Sequence, residues 1–426
     1  MQAIVLVLIF FALMALGVPI AVSMGASSVA YLLMYMDIPM TVVAQQIIGG
    51  MDKFTLLAIP FFMLAGEFMT QGGISERIID FCRSLVGSMP GGLALVMVIA
   101  SAIFAAMTGA GAATCAAVGG IMIPFMLKEG YDEDFVCALQ STAGIFGPLI
   151  PPSIIMVLFS VATGASVSEM LVAGLMPGIV MTIVVGILAI IICKKRGYRG
   201  SGTFSLKGIV KDFSRAILAI LTPVIILGGI YSGLFTATEA AAIAAFYALI
   251  VGALVYKELT FAKVNAIFVN SMKSSGSLLL VVGSTQILGW ILTRENLPQK
   301  LALWFASLTN SPIVFMLLVA VLVLIIGCFL DPGPAVLILG PILCPVASTY
   351  GIDPIHFGNV LVVGLVCGLI TPPVGTNLFA VTAMTGRPVH KYVKDLLPFM
   401  GIVLFGYLLV ILIPGISTIL PSLMAK

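Results

Sequence analysis

The chain has 426 residues, of which 61% are hydrophobic and 9% are charged, and its formal net charge is +3. This composition excludes a soluble globular domain, since such domains carry about 25% charged residues. Apart from one central loop, the chain has no basic block large enough to bind nucleic acid. Its apolar runs exceed the roughly 20 residues that a membrane-crossing helix needs, so we expect an all-α polytopic protein in a lipid bilayer.

Ten membrane crossings are predicted, five in each half of the chain. They cover 3–16, 18–37, 54–71, 135–164 and 168–193 in the first half, and 217–234, 236–256, 274–293, 355–386 and 396–421 in the second. If residues 1–37 formed one kinked helix instead, the two halves would be parallel, but the Gly17-Val-Pro19 turn favours two helices. With five crossings, the two halves are inverted relative to each other.

The loop between the halves decides the orientation. Residues 194–215 contain seven basic residues and one acidic residue, so the positive-inside rule predicts a cytoplasmic loop. Nine further basic residues then also lie in the cytoplasm, which makes 16 of the 20 Lys and Arg residues cytoplasmic. Both termini are expected in the periplasm.

Landmarks of the first half recur 221 residues later. Gly130 corresponds to Gly351, Asp132 to Asp353, the Pro151-Pro152 pair to Pro372-Pro373, and Pro177 to Pro398. A constant offset across several landmarks indicates a duplication. We therefore predict a first repeat over 1–193 and a second repeat over 216–426.

The stretch 92–128 is uncharged as far as Leu127 and is too long for one crossing, and its counterpart in the second repeat is 313–349. We predict re-entrant hairpins there, with tips at 108–114 and 331–335. Amphipathic arms are expected beside them at 73–90 and 295–310. The crossings 135–164 and 355–386 contain Pro/Gly-rich stretches and are predicted to be broken helices. Paired broken helices in a duplicated membrane protein indicate the ion and substrate site of a transporter.

Unwound turns offer carbonyl oxygens that suit Na⁺, and helix starts suit a carboxylate. Each repeat is therefore predicted to bind one Na⁺, mainly through main-chain carbonyls. The first site would use Ala105, Gly109, Gly147, Ile150 and Pro151, and the second Gly327, Gly368, Thr371 and Val374. An anionic substrate is expected between them, near Thr108, Ser153, Asp331 and Asn377.

Some polar residues also have purely structural interpretations. Asp331 before Pro332 matches a helix N-cap, although a carboxylate at membrane depth indicates function. Thr236 to Glu239 matches a capping box. Arg294 ends a predicted helix, as an interfacial anchor would, and Glu67 is expected to pair with a neighbour.

The chain resembles the large membrane subunit of tripartite ATP-independent periplasmic (TRAP) transporters, and the sialic-acid members most. The resemblance rests on the 108–114 tip, Gly147-Pro-Leu-Ile-Pro-Pro-Ser153, Phe235-Thr-Ala-Thr-Glu239-Ala, Leu292-Thr-Arg294-Glu, Phe329-Leu-Asp331-Pro and Thr371-Pro-Pro-Val-Gly-Thr-Asn377.

The resemblance implies a Na⁺-driven importer with an elevator mechanism. It also implies two partners, a small four-helix membrane subunit and a periplasmic substrate-binding protein, and we expect the small subunit to be a separate chain. Asp331 and the tip residues Thr108 to Ala110 would lie near the substrate, and Arg294 and Glu239 would be functionally sensitive. The family often has serine where Ala110 stands, which puts a hydroxyl contact at the tip in doubt. It often has proline where Ala237 stands, so the turn before Glu239 is expected to be less rigid in this chain.

We therefore expect a Na⁺-coupled importer of an organic acid, sialic acid first, in the bacterial inner membrane. The alternatives are a C4-dicarboxylate TRAP transporter, a single-component Na⁺/dicarboxylate carrier and, in another class, an ion channel. The sequence contains no Walker A loop and no H-E-x-x-H or G-x-S-x-G motif, so neither ATP use nor enzyme activity is predicted. Na⁺ is expected as the coupling ion, and no cofactor is expected.

Overall fold

The computed structural model describes residues 2–36, 38–198, 200 and 205–424. All regular elements in these ranges are helices. Arg199 and residues 201–204 of the predicted cytoplasmic loop lie outside the described residues, as do Met1 and residues 425–426 at the predicted periplasmic termini.

Eleven of the described α-helices belong to the first half, where the 3₁₀ turn Phe54–Leu57 leads into the fourth. They are α1 (Gln2–Ala15), α2 (Ile20–Tyr35), α3 (Thr41–Met51), α4 (Ala58–Gln71), α5 (Ile74–Val86), α6 (Gly92–Thr108), α7 (Gly111–Lys128), α8 (Glu133–Ala143), α9 (Phe146–Leu149), α10 (Ile154–Thr163) and α11 (Val167–Arg196).

Ten described α-helices belong to the second half, where the π-helical turn Val251–Val255 extends the second of them. They are α12 (Leu206–Tyr231), α13 (Ala237–Ile250), α14 (Phe261–Arg294), α15 (Leu297–Leu308), α16 (Pro312–Phe329), α17 (Pro332–Thr349), α18 (Pro354–Gly368), α19 (Thr376–Thr385), α20 (Val389–Leu412) and α21 (Gly415–Met424).

The predicted all-α membrane fold is confirmed. Nine helices of the described chain are long and apolar enough to cross a membrane, and α8–α9 with α10 form a tenth span that bends by 42° at its break. The hairpins are α6–α7 and α16–α17, the broken helices are α8–α10 and α18–α19, and α5 and α15 occupy the predicted arms. The exact limits of the two repeats stay predictions.

The helix bounds differ from the sequence prediction in four places. The short helix α3 was not predicted, and α12 and α14 begin at Leu206 and Phe261, more than ten residues early. Their first turns carry Lys207 and Lys263, which interrupt the apolar run there, although Ser205 and Thr260 cap them. The predicted last crossing 396–421 is wrong, because α20 ends at Leu412 and α21 is a separate helix. Pro414 explains the break, since it lacks an N–H group and disfavours helical backbone at Ile413.

The two repeats carry the same local devices. Gly130 and Gly351 both have positive φ angles, 84° and 72°. Asp132 accepts a hydrogen bond from the Phe135 N–H, and Asp353 accepts from the Ile355 and His356 N–H groups, so both carboxylates cap the helix of a broken crossing. The peptide bonds Pro151-Pro152 and Pro372-Pro373 are both cis.

The helices pack in two groups. We call α1–α4 with α12–α14 the scaffold group, in which α14 packs on α2, α3 and α4 while α4 packs on α13. We call α6–α11 with α16–α20 the hairpin group. Within it the repeats exchange elements, because α10 packs on α17 of the other repeat and α19 packs on α7. This exchange makes the hairpin group one packed unit.

Ion pairs between the repeats also join the hairpin group. Arg387, in the turn before α20, donates two hydrogen bonds to the Asp134 carboxylate over 2.7 and 3.0 Å and pairs with Glu133 at 3.2 Å. Arg196, at the end of α11, pairs with Asp395 of α20 at 2.7 Å. A forked guanidinium–carboxylate contact of this kind holds both partners in a defined orientation.

Candidate functional site

The tip of the first hairpin is a two-residue turn. Helix α6 ends at Thr108, Gly109 adopts φ +65°, and Ala110 is extended before α7 begins. The predicted tip at 108–114 is therefore too long, because residues 111–114 are already helical. The Thr108 and Thr114 hydroxyls lie 3.1 Å apart, and the Thr114 hydroxyl donates to the Ala110 carbonyl over 2.9 Å.

This tip lies directly against the break of the first broken helix. A Cβ atom added to Gly147 would overlap the Ala110 carbonyl, and one added to Gly109 would lie 2.6 Å from the Pro152 carbonyl oxygen. Only glycine allows such an approach. The Ala105 carbonyl accepts from the Gly109 N–H, and Ile150 and Pro151 lie in the break itself. The structure thus brings together the residues proposed for the first Na⁺ site, whose ion binding stays a prediction.

In the second repeat, too, a hairpin packs closely against a broken helix, here through two glycines. A Cβ atom added to Gly368 would overlap the main chain of Gly327, close to the tip of the second hairpin. The break covers 369–375 and is closed by the Asn377 N–H, which donates to the Leu369 carbonyl over 3.2 Å. The Thr371 hydroxyl donates to the Cys367 carbonyl of its own helix over 2.9 Å, and Val374 is half-buried in the break.

Asp331 is the N-cap of α17. Its Oδ1 accepts from the Gly333 N–H over 3.1 Å, and Pro332 occupies the first helical position. The capping role expected from the sequence is confirmed. The residue is nevertheless exposed, so part of its carboxylate can reach a ligand while the cap is intact.

Two further predicted substrate residues are fully buried. Ser153 caps α10, where its hydroxyl donates to the Pro148 carbonyl and accepts from the Met156 N–H. The Asn377 amide donates to the Ser141 carbonyl over 3.2 Å, and its side chain lies beside Gly111 and Gly144. Its Oδ1 is buried and has no hydrogen-bond partner among the described residues.

A small cavity of about 90 Å³ lies between the first hairpin tip and the scaffold group. It is lined by Met63, Gly66, Glu67, Thr70, Thr108, Ala110, Ala113, Ile154, Asn270, Ser271 and Ser274. Of the predicted substrate residues, Thr108 and Ala110 line it. Ser153, Asp331 and Asn377 do not, so the structure does not gather all five around this cavity. Their common role in substrate binding stays a prediction.

The scaffold side of the cavity was missed by the sequence interpretation. Glu67 and Thr70 come from α4, and Asn270, Ser271 and Ser274 come from α14. The available signal was polar residues three or four positions apart, which lie on one helix face. Glu67 was expected only to pair with a neighbour, and that pairing is confirmed, because the Gln71 amide donates to Glu67 Oε2 over 3.0 Å.

Glycine also allows close contact between the two groups of helices. A Cβ atom added to Gly66 of α4 would lie 3.0 Å from the Thr108 Cα atom. The scaffold group therefore touches the hairpin tip backbone at this point, next to the cavity.

Glu239 and Arg294 do not line the cavity. Glu239 forms the predicted capping box, in which its carboxylate accepts from the Thr236 N–H over 2.8 Å and its own N–H donates to the Thr236 hydroxyl over 3.3 Å. Arg294 is the last residue of α14, is exposed, and has its guanidinium 5.3 Å from the centre of the Trp290 ring. Their functional sensitivity stays a prediction.

Comparisons with known proteins agree with this architecture. The chain is 40% identical over 400 residues to the C4-dicarboxylate TRAP transporter large permease protein DctM of Pseudomonas aeruginosa, covering 94% of each. It is 38% identical over 407 residues to the sialic acid TRAP transporter large permease protein SiaM of Vibrio cholerae, covering 96% of this chain and 95% of the relative. The crystal structure of the Alcanivorax borkumensis YdaH transporter shares its fold, with a TM-score of 0.65 and 16% identity over 87% of this chain and 88% of that chain.

Residues 7–416 match the family described as "Tripartite ATP-independent periplasmic transporter, DctM component". The resemblance found in the motifs is thereby confirmed. The chain belongs to this family and is the large membrane subunit of a TRAP transporter.

Proposed function

We propose that this subunit imports an organic acid by coupling it to Na⁺, with sialic acid (N-acetylneuraminate) as the substrate. The single observation that carries the proposal is the tight packing of glycines in both repeats, Gly147 against Ala110 and Gly327 against Gly368. Each contact joins a hairpin to a broken helix, next to its unwound break. Unwound backbone of this kind supplies the carbonyl oxygens that coordinate Na⁺ in secondary transporters.

Two Na⁺ ions would drive strong accumulation. When they enter with one monovalent acid, the net charge moved is +1, which is worth about 2.3 kcal/mol per 100 mV. A tenfold Na⁺ gradient adds about 1.4 kcal/mol for each ion. The total of about 5 kcal/mol corresponds to an accumulation of several thousand-fold.

Substrate movement would follow an elevator mechanism. The hairpin group, which the exchanged helices α10 and α19 make one packed unit, would move relative to the scaffold group. The cavity and the Gly66–Thr108 contact lie where the two groups meet, which supports substrate binding at this boundary. We place the protein in the bacterial inner membrane, with residues 194–215 in the cytoplasm and both termini in the periplasm.

Two partners complete the proposed transporter. One is a small four-helix membrane subunit on a separate chain, and the other is a periplasmic protein that delivers the substrate. The family description supports this assembly, since the matched family is one component of a tripartite transporter.

The test is uptake of labelled sialic acid into proteoliposomes that contain this subunit and its small partner. We expect uptake only with the binding protein outside and with an inward Na⁺ gradient, and no uptake when K⁺ replaces Na⁺. Uptake without the binding protein would indicate a single-component carrier, and single-channel currents would indicate a channel. The alternative is a C4-dicarboxylate transporter, which the 40% identity with a C4-dicarboxylate permease supports. The same assay with labelled succinate and a succinate-binding protein tests it.

A further inference from the structure

The cavity beneath the first hairpin tip has two chemically different walls. On the hairpin side, Ala110 and Ala113 at the start of α7 and Ile154 at the start of α10 line it. Two helix N-termini thus meet at one wall. Their first-turn N–H groups lack helical partners and carry partial positive charge, which favours a carboxylate.

The opposite wall, from the scaffold group, carries one acidic side chain, one amide and three hydroxyls. These are Glu67, Asn270, Thr70, Ser271 and Ser274. The described residues that line the cavity include no Lys, Arg or His. This wall therefore suits groups that donate hydrogen bonds and does not suit a second anion.

Ser271 gives independent evidence that a ligand is expected at this wall. Its side chain is 2% exposed, and its hydroxyl has no hydrogen-bond partner among the described residues. A buried hydroxyl without a partner is costly. A ligand hydroxyl in the cavity would supply the missing partner.

Glu67 is held in place by the structure. The Gln71 amide donates to its Oε2 over 3.0 Å from one turn further along α4. The second carboxylate oxygen has no hydrogen-bond partner among the described residues, so it can accept a hydrogen bond from a ligand. A second carboxylate on the ligand would meet this like charge, and such repulsion is strong at short range.

We propose that Glu67 and Ser271 make this subunit selective for a monocarboxylate that bears several hydroxyl groups, and that Glu67 excludes dicarboxylates. The acid's carboxylate lies toward the starts of α7 and α10, and its hydroxyls lie toward the scaffold wall. The inference rests on the proposed transport of organic acids and specifies which of them the membrane site accepts.

A matched set of six-carbon acids tests the proposal. Gluconate has one carboxylate and five hydroxyls, hexanoate has the carboxylate alone, and adipate has a carboxylate at each end. Dissociation constants are measured in Na⁺ by calorimetry on the purified complex of this chain with its small membrane subunit, without the binding protein. We expect gluconate to bind at least tenfold more tightly than hexanoate or adipate.

Glu67→Gln keeps the size of the side chain and an oxygen that accepts from Gln71, so the variant is expected to fold. It should tighten adipate binding about tenfold and weaken gluconate binding severalfold, because the repelling charge and a strong acceptor are both lost. Ser271→Ala should weaken gluconate binding severalfold and leave hexanoate unchanged. The matched controls Glu76→Gln on α5 and Ser277→Ala on α14 alter exposed residues outside the cavity and should change neither ratio.

The proposal is overturned if the wild-type complex binds adipate as tightly as gluconate, or if Glu67→Gln leaves their ratio unchanged. If the proposed Na⁺-coupled transport itself is wrong, a different result is expected. In that case none of the three acids would bind more tightly in Na⁺ than in K⁺, whatever residue stands at position 67.

Discussion

The side-chain amide of Asn377 donates a hydrogen bond to the main-chain carbonyl of Ser141 over 3.2 Å. Asn377 lies in the first turn of α19, the second part of one broken helix, and Ser141 lies in α8, the first part of the other. The bond therefore joins the two repeats at the centre of the hairpin group. Asn377 has no exposed surface, so water cannot replace this donor.

Asn377→Ala should lower the free energy of unfolding by about 1–3 kcal/mol, since the Ser141 carbonyl loses a buried donor. Denaturation by sodium dodecyl sulfate in mixed micelles measures the change. The control is Asn265→Ala, at an exposed position of α14, which should unfold like the wild type. Equal stability of the two variants would mean that the hydrogen bond contributes nothing to the fold.

Gly147→Ala should abolish most Na⁺-dependent uptake. The added methyl group overlaps the Ala110 carbonyl, so the hairpin tip has to move away from the break and the carbonyl oxygens separate. We expect uptake at least tenfold lower and a higher Na⁺ concentration for half-maximal rate. Gly120→Ala is the control, because its added Cβ meets no described atom within 4 Å apart from the adjoining backbone of its own helix. Wild-type Na⁺ dependence in the Gly147 variant would remove this contact from the ion site.

Asp331→Ala should abolish uptake and leave the protein folded. Asp353→Ala is a matched control, since both residues are exposed N-caps that precede a proline at the first helical position. Each substitution removes a cap and should cost about 0.5–2 kcal/mol of stability. Uptake of labelled substrate and thermal unfolding, measured on both variants, separate the two roles. If both variants transport equally well, Asp331 is a cap and nothing more.

Lys53→Met should loosen the contact between the scaffold group and the hairpin group. The Lys53 ammonium, in the link between α3 and α4, donates to the Val161 carbonyl near the end of α10 over 3.0 Å. Partial burial lowers its pKa, and in its charged form the ammonium interacts favourably with a helix C-terminus.

Maleimide labelling of a cysteine introduced at Thr163 reports this change. The rate should rise severalfold in Lys53→Met and stay constant in the control Lys263→Met, whose exposed ammonium donates to the nearby Glu258 carbonyl. An unchanged rate would show that the lysine does not hold the end of α10.

The interior of the site was only partly predictable. Gly147, Gly327 and Gly368 were identified from breaks that recur at equivalent positions, because glycine and proline interrupt a helix whatever surrounds it. Asp331 and Glu239 were identified as capping residues, because a cap is also recognised from a few neighbouring residues. Glu67, Asn270 and Ser271 were not assigned to a site, since their significance depends on α4 and α14 facing one hairpin tip.

The sequence alone determined the membrane class, the duplication, the hairpins, the broken helices and the family. These features depend on hydropathy, on a constant spacing of landmarks and on backbone-breaking residues, all of which are local. Only the tertiary structure decided that α10 and α19 cross to the opposite repeat, that Asn377 is enclosed beside Ser141, and that the scaffold supplies a polar wall opposite Thr108. Contacts between residues distant in sequence arise from packing, and no local pattern in the chain encodes which helix faces meet.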